Sequence, residues 1–128
     1  GIGVLAYMPL AGGLLSGKAR QTPAGSRTRE VEQEYELDLG ENRQFDDFDA
    51  LCREIGEPAH VVAIAWTLAN PAVASAIVGV RKLEHLDGLE RASELALDAE
   101  AMARLEEIFN INRGRPLRPG PAPEAYSW

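Results

Sequence analysis

A glycine-rich segment near the start of the chain contains residue types that bind phosphate groups. Gly12, Gly17 and Lys18 follow the spacing G-x-x-x-x-G-K, which occurs in the phosphate-binding loop of nucleotide hydrolases. In that loop a Ser or Thr hydroxyl follows the lysine and reaches Mg²⁺, whereas this chain has Ala19 there. Two leucines also stand where backbone amides should face phosphate, and no amphipathic helix follows to supply a positive N-terminus. We therefore predict a tight loop that does not hydrolyse nucleotides.

Two short apolar runs predict the strands that would position this loop. Residues 3–10 form a nearly continuous apolar run that ends at Pro9, and residues 75–80 form a second one before Arg81. Runs of this kind are typical of parallel strands with both faces buried, and proline ends a strand because it cannot donate to the ladder. The order of strand, helices and strand predicts a parallel α/β arrangement.

Apolar spacings of three and four predict four helices. The first begins at Phe45 and ends at Gly56, and the second runs from Pro58 to Asn70 with enough apolar surface for near-complete burial. A third carries an apolar stripe from Leu83 to Leu95, and a fourth begins at Asp98, a suitable N-cap. Residues 19–44 lack sustained periodicity, so we predict a long, mobile loop there.

The composition is typical of a folded domain and excludes several functions. The 128 residues are 45% hydrophobic and 26% charged, with a net charge of −7, which argues against nucleic-acid binding. No apolar stretch is long enough for a membrane helix, and the single cysteine, Cys52, gives no sign of an oxidising compartment, so we expect a cytoplasmic protein. Nine of the 20 acidic residues fall between residues 30 and 50, either as a solvated surface or as a surface that recruits a basic partner.

Two further features predict that the chain is part of a longer protein. It starts Gly-Ile-Gly-Val inside an apolar run, and two strands are too few for a parallel sheet that stands alone. We therefore expect a chain that starts in the middle of a longer protein. Residues 1–112 would form its folded part, and residues 113–128, rich in proline and arginine, would form an irregular arm.

Three motifs occur in an order and spacing that resemble a known family. Residues 6–18 read Ala-Tyr-Met-Pro-Leu-Ala-Gly-Gly-Leu-Leu-Ser-Gly-Lys, residues 63–66 read Ala-Ile-Ala-Trp, and residues 77–81 read Ile-Val-Gly-Val-Arg. Together they resemble the C-terminal part of aldo-keto reductases, which are (β/α)8 TIM barrels that use NADP(H). The resemblance implies that the two predicted strands are strands 7 and 8 of such a barrel, which is incomplete in this single chain. In such barrels the loops after strands 7 and 8 commonly bind phosphate.

The resemblance implies a cofactor site without a metal. Tyr7 would stack on the nicotinamide, and Arg81 would contact the 2′-phosphate through its planar guanidinium. Gly79 would let the backbone approach the cofactor, and His85 stands where relatives often have a glutamine near the adenosine. The remaining implied residues lie along the pyrophosphate: Met8, Pro9, Leu10, Gly12 and Lys18.

The residues themselves allow plainer interpretations. A tyrosine at a strand end is often part of the core, and Arg81, His85 and His60 would each suit a solvated helix start. Cys52 and Trp66 lie among apolar residues and are best explained as core.

The chain departs from the family pattern in two places. Relatives usually have a serine where Met8 stands, and often a Glu-Asn pair at the adenine where this chain has Gly88 and Leu89. Each lost hydrogen bond should weaken cofactor binding by about 1 kcal/mol. The family's proton-donating tyrosine, with its Asp, Lys and His partners, comes from earlier strands, so we assign no catalytic residue to this chain.

The resemblance implies the C-terminal, cofactor-binding part of an NADP(H)-dependent oxidoreductase that reduces aldehydes or ketones. The alternative is a non-catalytic remnant that acts as a binding or assembly module. In either case the implied partners include the missing half of the barrel or a second copy, and the complete enzyme would also take a small carbonyl substrate.

Overall fold

A pair of parallel strands organises the part of the chain that the computed structural model describes, which is residues 2–18, 21, 27–34, 43–80 and 82–109. Strand β1 (Val4–Tyr7) pairs with β2 (Val73–Ile77), and Tyr7 lies opposite Ile77 at the carboxyl ends. The helices are α1 (Arg27–Glu34), α2 (Arg43–Ile55), α3 (Ala59–Leu68), α4 (Leu89–Glu94) and α5 (Ala99–Phe109), with short 3-10 helices at Ala11–Gly13 and Leu83–Leu86.

The parallel pairing confirms the predicted α/β arrangement, but both strands are shorter than predicted. Strand β1 ends at Tyr7 and not at residue 10, because Met8 has a left-handed backbone with φ 56°. Strand β2 begins two residues earlier than predicted and ends at Ile77. The prediction that both faces are buried is wrong for these residues: Leu5 and Tyr7 are 63% and 64% exposed. The described helices pack against one face only, where Ala76 contacts the cluster around Ile64.

Helix α3 directly precedes β2 and is buried along most of its length. Its residues from Val61 to Ala65 are all buried, as predicted from their apolar character. Pro58 occupies the N-cap position, and only four residues separate Leu68 from β2. The helix therefore runs antiparallel to the strands, and its N-terminus lies at the carboxyl edge of the sheet.

Helices α2 and α5 pack together on the side of α3 that faces away from the sheet. Both occur where the apolar spacing predicted a helix. Phe48, Leu51 and Leu105 are fully buried in the same cluster. Gly56, with φ 80°, follows the end of α2, and the Asp98 carboxylate accepts a hydrogen bond from the Ala101 amide at 2.8 Å, as an N-cap does. At the far end of α5, Phe109 stacks on Trp66 with ring centroids 5.5 Å apart.

Two predicted segments differ from the structure. Residues 27–34 form α1, so the prediction of a continuous loop over residues 19–44 is wrong there. The predicted third helix is divided, because Gly88 adopts a left-handed conformation with φ 82° between the 3-10 helix and α4. The predicted arm, residues 113–128, lies outside the described residues, as does Arg81. Within the described ranges, no helix is both long and apolar enough to cross a membrane.

Candidate functional site

The parallel pairing brings the two motif-bearing segments to one edge of the sheet. Because Tyr7 and Ile77 are paired, the segments that begin at Met8 and at Val78 both leave the sheet at its carboxyl edge. The N-terminus of α3 lies at the same edge. Of the nine predicted cofactor residues, Tyr7 ends β1, Met8, Pro9 and Leu10 follow it directly, and Gly79 lies two residues after β2. Gly12, Lys18 and His85 lie further along the chain, and Arg81 is outside the described residues.

The glycine turn after β1 uses most of its amides internally. Five amides donate to carbonyl oxygens of the same turn over 2.8–3.3 Å, and they belong to Ala11, Gly13, Leu14, Leu15 and Ser16. In a phosphate-binding loop these N–H groups would point at the ligand instead. The turn therefore lacks the amide arrangement of a nucleotide-hydrolase loop, in agreement with the prediction from Ala19.

The same turn has a strained backbone. Met8 and Ala11 have positive φ angles of 56° and 47°, a conformation that costs residues with a Cβ about 1–3 kcal/mol each. Gly12 and Gly13 also have positive φ angles, of 67° and 103°. Strain of this kind persists only where surrounding structure holds it, and it is concentrated at functional sites.

Helix α1 provides the structure that holds this turn. The Thr28 hydroxyl donates a hydrogen bond to the Gly12 carbonyl oxygen at 3.1 Å, and a Cβ at Gly13 would lie 2.5 Å from Thr28 Oγ1. A Cβ at Gly12 would overlap Val31 Cγ2. The two glycines are therefore required by the close approach of α1. The sequence analysis did not predict this contact. The signal that could have indicated it is the spacing of Thr28 and Val31, which are three positions apart in a mostly charged stretch.

The structure places the residues of the first motif in two different environments. The Met8 side chain packs against Leu14 and Val31, and Leu10 packs into the core around α3. These two side chains are partly buried and support the turn from the core side. Tyr7 is exposed at the end of β1, where its ring can receive a flat ligand.

Lys18 is exposed close to the first turn of α3. Its amide donates to Ser16 Oγ at 3.3 Å, and that hydroxyl donates to the Gly13 carbonyl at 2.6 Å. A Cβ at Gly17 would lie 3.1 Å from the Ala59 Cβ, so this part of the loop contacts α3. The lysine charge and the positive end of the helix dipole thus lie on the same side of the sheet.

The segment after β2 is open. Gly79 is exposed, and a Cβ built there would meet no heavy atom within 4 Å among the described residues, which leaves space for a ligand to approach the backbone. His85 is exposed in the 3-10 helix Leu83–Leu86.

Gly88 has a packing role of its own. A Cβ there would lie 2.8 Å from Val61 Cγ2 and 2.9 Å from His60 Nε2, and His60 Nε2 is 3.1 Å from the Asp87 carbonyl oxygen. His60 lies at the start of α3, as predicted, and is partly exposed, and its ring joins α3 to the segment before α4. Arg91 supports the same junction with a 2.6 Å hydrogen bond to Glu57.

Among the described residues, the titratable groups outside this edge do not form a second centre. Burial and the nearby Asp49 carboxylate raise the pKa of the Cys52 thiol to about 12, so it is neither a nucleophile nor a metal ligand at neutral pH. The Arg104 guanidinium hydrogen-bonds Glu54 and lowers the pKa of that carboxyl. Among the residues with described positions, no group of three His, Cys, Asp or Glu side chains could hold a metal ion.

Comparison with known proteins decides the family. The model of the Aldo/keto reductase family matches residues 1–110. The chain belongs to the aldo/keto reductase family. The resemblance inferred from its three motifs is thereby confirmed, and this family generally uses nicotinamide cofactors.

Named relatives carry different functions. The chain is 43% identical over 130 residues to an uncharacterized oxidoreductase, YrpG, of Bacillus subtilis, and the match covers 100% of this chain and 36% of that protein. It is 31% identical over 120 residues to a putative voltage-gated potassium channel subunit beta of Schizosaccharomyces pombe, covering 87% of this chain and 35% of the relative. It is 25% identical over 118 residues to L-glyceraldehyde 3-phosphate reductase of Escherichia coli O157:H7, covering 84% and 33%. The chain thus spans about a third of the length of these relatives.

Proposed function

We propose that this chain is the C-terminal, cofactor-binding part of an NADP(H)-dependent aldo-keto reductase that reduces aldehydes or ketones to alcohols. The observation that carries the proposal is the pairing of Tyr7 with Ile77, which brings the segments after both strands to one edge of the sheet. In (β/α)8 barrels the phosphate site lies at that edge. Under this proposal, β1 and β2 are strands 7 and 8 of the barrel.

The residues at this edge fit a nicotinamide dinucleotide. Met8 and Leu10 differ from the pyrophosphate roles expected for them, because their side chains pack against the core. The exposed ring of Tyr7 can stack on the nicotinamide, the open surface at Gly79 can approach the cofactor, and Lys18 supplies positive charge. Met8 and Leu10 support the turn from inside. When bound, the cofactor supplies the hydride.

This chain then orients the cofactor and neutralises its charge. Lys18 and Arg81 would attract the phosphates, Arg81 with a preference for the 2′-phosphate that distinguishes NADPH from NADH. Tyr7 would fix the plane of the nicotinamide ring. The proton donor would come from residues outside this sequence, so we expect the 128 residues alone to reduce no carbonyl compound.

A titration of the complete polypeptide that carries this sequence tests the proposal. NADPH binding is followed by quenching of protein fluorescence or by calorimetry, with NADH as the competitor. We expect Lys18→Ala to weaken binding of both cofactors, and Arg81→Ala to weaken NADPH much more than NADH. Arg53→Ala is the matched control, because it also removes one exposed positive charge but lies on α2, outside the proposed cofactor residues, and it should leave both affinities unchanged. Absence of NADPH binding by the wild-type protein contradicts the proposal.

The alternative, a non-catalytic binding or assembly module, also has an observation in its favour. Leu5, Tyr7 and Ile77 expose apolar surface on the strands, and such surface favours association. One of the relatives is named as a subunit of a potassium channel. A protein that self-associates in sedimentation experiments and shows no affinity for NADPH would support the assembly module over the reductase.

A further inference from the structure

The buried side chains of helix α1 contact the glycine turn, and Phe45 of α2 packs against the same cluster. Its sequence, Arg-Thr-Arg-Glu-Val-Glu-Gln-Glu, is eight residues long and mostly charged, too short and too polar to be stable alone. Of its described side chains only Thr28, 7% exposed, and Val31, 2% exposed, are buried. Val31 packs with Leu14 and Met8, and Thr28 reaches the Gly12 carbonyl.

The peptide unit between Gly12 and Gly13 is consequently fixed from both sides. Its carbonyl oxygen accepts the Thr28 hydroxyl at 3.1 Å, and its N–H donates to the Leu10 carbonyl at 2.9 Å. Glycine has little intrinsic preference for the left-handed conformation over others, so these two hydrogen bonds select it. The neighbouring Ala11 has a strained backbone with φ 47°, and the same two hydrogen bonds help to hold it.

We propose that Thr28 is a positioning residue for the cofactor site: its hydroxyl holds the Gly12–Gly13 peptide in the orientation that the site after β1 needs. The proposal rests on the function proposed above. Thr28 does not contact the cofactor and acts through Gly12. The segment that it holds leads from Tyr7 to Lys18, so a rotated peptide displaces both groups relative to each other.

Two substitutions at one position separate the hydroxyl from the shape of the side chain. Thr28→Val keeps the branched shape and nearly the same helix propensity but places a methyl group against the Gly12 oxygen. Thr28→Ser keeps the hydroxyl and loses only a methyl group. Thr67→Val is the matched control, because it makes the same change at a hydroxyl that donates to the Ala63 carbonyl at 2.9 Å within α3, away from the glycine turn.

The experiment measures NADPH affinity, unfolding midpoint and amide hydrogen exchange of residues 11–16 in the complete polypeptide. We expect Thr28→Val to raise the dissociation constant about fivefold, the equivalent of one ordinary hydrogen bond, and to speed exchange of the turn amides by a similar factor. Thr28→Ser should remain within about twofold of the wild type in both measurements. Thr67→Val should change the dissociation constant and the exchange of the turn amides by less than about twofold at temperatures where the protein stays folded.

Several outcomes would overturn the inference. The hydroxyl has no role if Thr28→Val binds NADPH like the wild type, or if Thr28→Ser loses as much affinity as Thr28→Val. The loss is not specific to the turn if Thr67→Val weakens binding as strongly as Thr28→Val. If the wild-type protein does not bind NADPH, the proposed function fails, and the amide exchange then decides about Thr28: unchanged exchange in Thr28→Val shows that it holds nothing.

Discussion

Replacing Gly12 by alanine tests whether α1 is packed on the glycine turn as the structure has it. The new Cβ would have to adopt a backbone with φ 67°, which costs about 1–2 kcal/mol, and it would overlap Val31 Cγ2, which costs a further 1–3 kcal/mol, as overpacking does. We therefore expect Gly12→Ala to lower the free energy of unfolding by about 2–5 kcal/mol.

Gly56 provides the matched control for this substitution. Its φ is 80°, similar to that of Gly12, but a Cβ there would meet nothing within 4 Å. Gly56→Ala should therefore cost only the conformational part, about 1–2 kcal/mol. The difference between the two variants, about 1–3 kcal/mol, measures the overlap with α1.

Urea unfolding followed by circular dichroism measures these free energies. Combining Gly12→Ala with Val31→Ala removes the atom that the new Cβ meets, so the double variant should lose less stability than the sum of the two single variants. If Gly12→Ala costs no more than Gly56→Ala, or if the double variant is strictly additive, α1 does not pack on the turn and the role given to Thr28 loses its basis.

Three further predictions concern other parts of the fold. Cys52, with its pKa raised to about 12, should react with a thiol reagent at pH 8 only after unfolding, and rapid reaction of the native protein would contradict its burial. Asp98→Ala should cost about 1 kcal/mol in urea unfolding because it removes the N-cap of α5, whereas Asp98→Asn should cost much less. Because the Arg104 pairing lowers the folded-state pKa of Glu54, the stability it adds is present above the ordinary value of 4.5 and is lost as the pH falls through the folded-state pKa. In Glu54→Gln, the urea midpoint should therefore decrease less than in the wild type as the pH is lowered. If the pH dependence of the midpoint is unchanged, the Glu54–Arg104 pair does not stabilise the fold.

The parts of the fold predicted well from sequence are those in which local signals and burial agree. Helix α3 has a continuous apolar sequence between Pro58 and Asn70, and α5 has a suitable cap in Asp98. The parallel pairing followed from the strand–helix–strand order.

The parts that sequence did not predict depend on tertiary contacts. Helix α1 has no apolar stripe, and two contacts with glycines 12 positions or more away stabilise it, so no local pattern could reveal it. The early end of β1 at Met8 and the break at Gly88 both reflect left-handed residues whose conformation is set by their neighbours in space. The same contacts determine which side chains of the first motif face inward.

The register of the two strands also has a consequence for the order of folding. Val4 pairs with Val73, so forming the sheet closes a loop of 69 residues, whereas α2 and α3 are joined by three residues and can meet early. Long loops cost more entropy to close and slow the contacts that depend on them. We therefore expect the helices to associate first and β1 to join late. The carboxyl edge, and any ligand site built there, would then exist only in the fully folded protein, so a bound ligand would slow unfolding rather than speed folding.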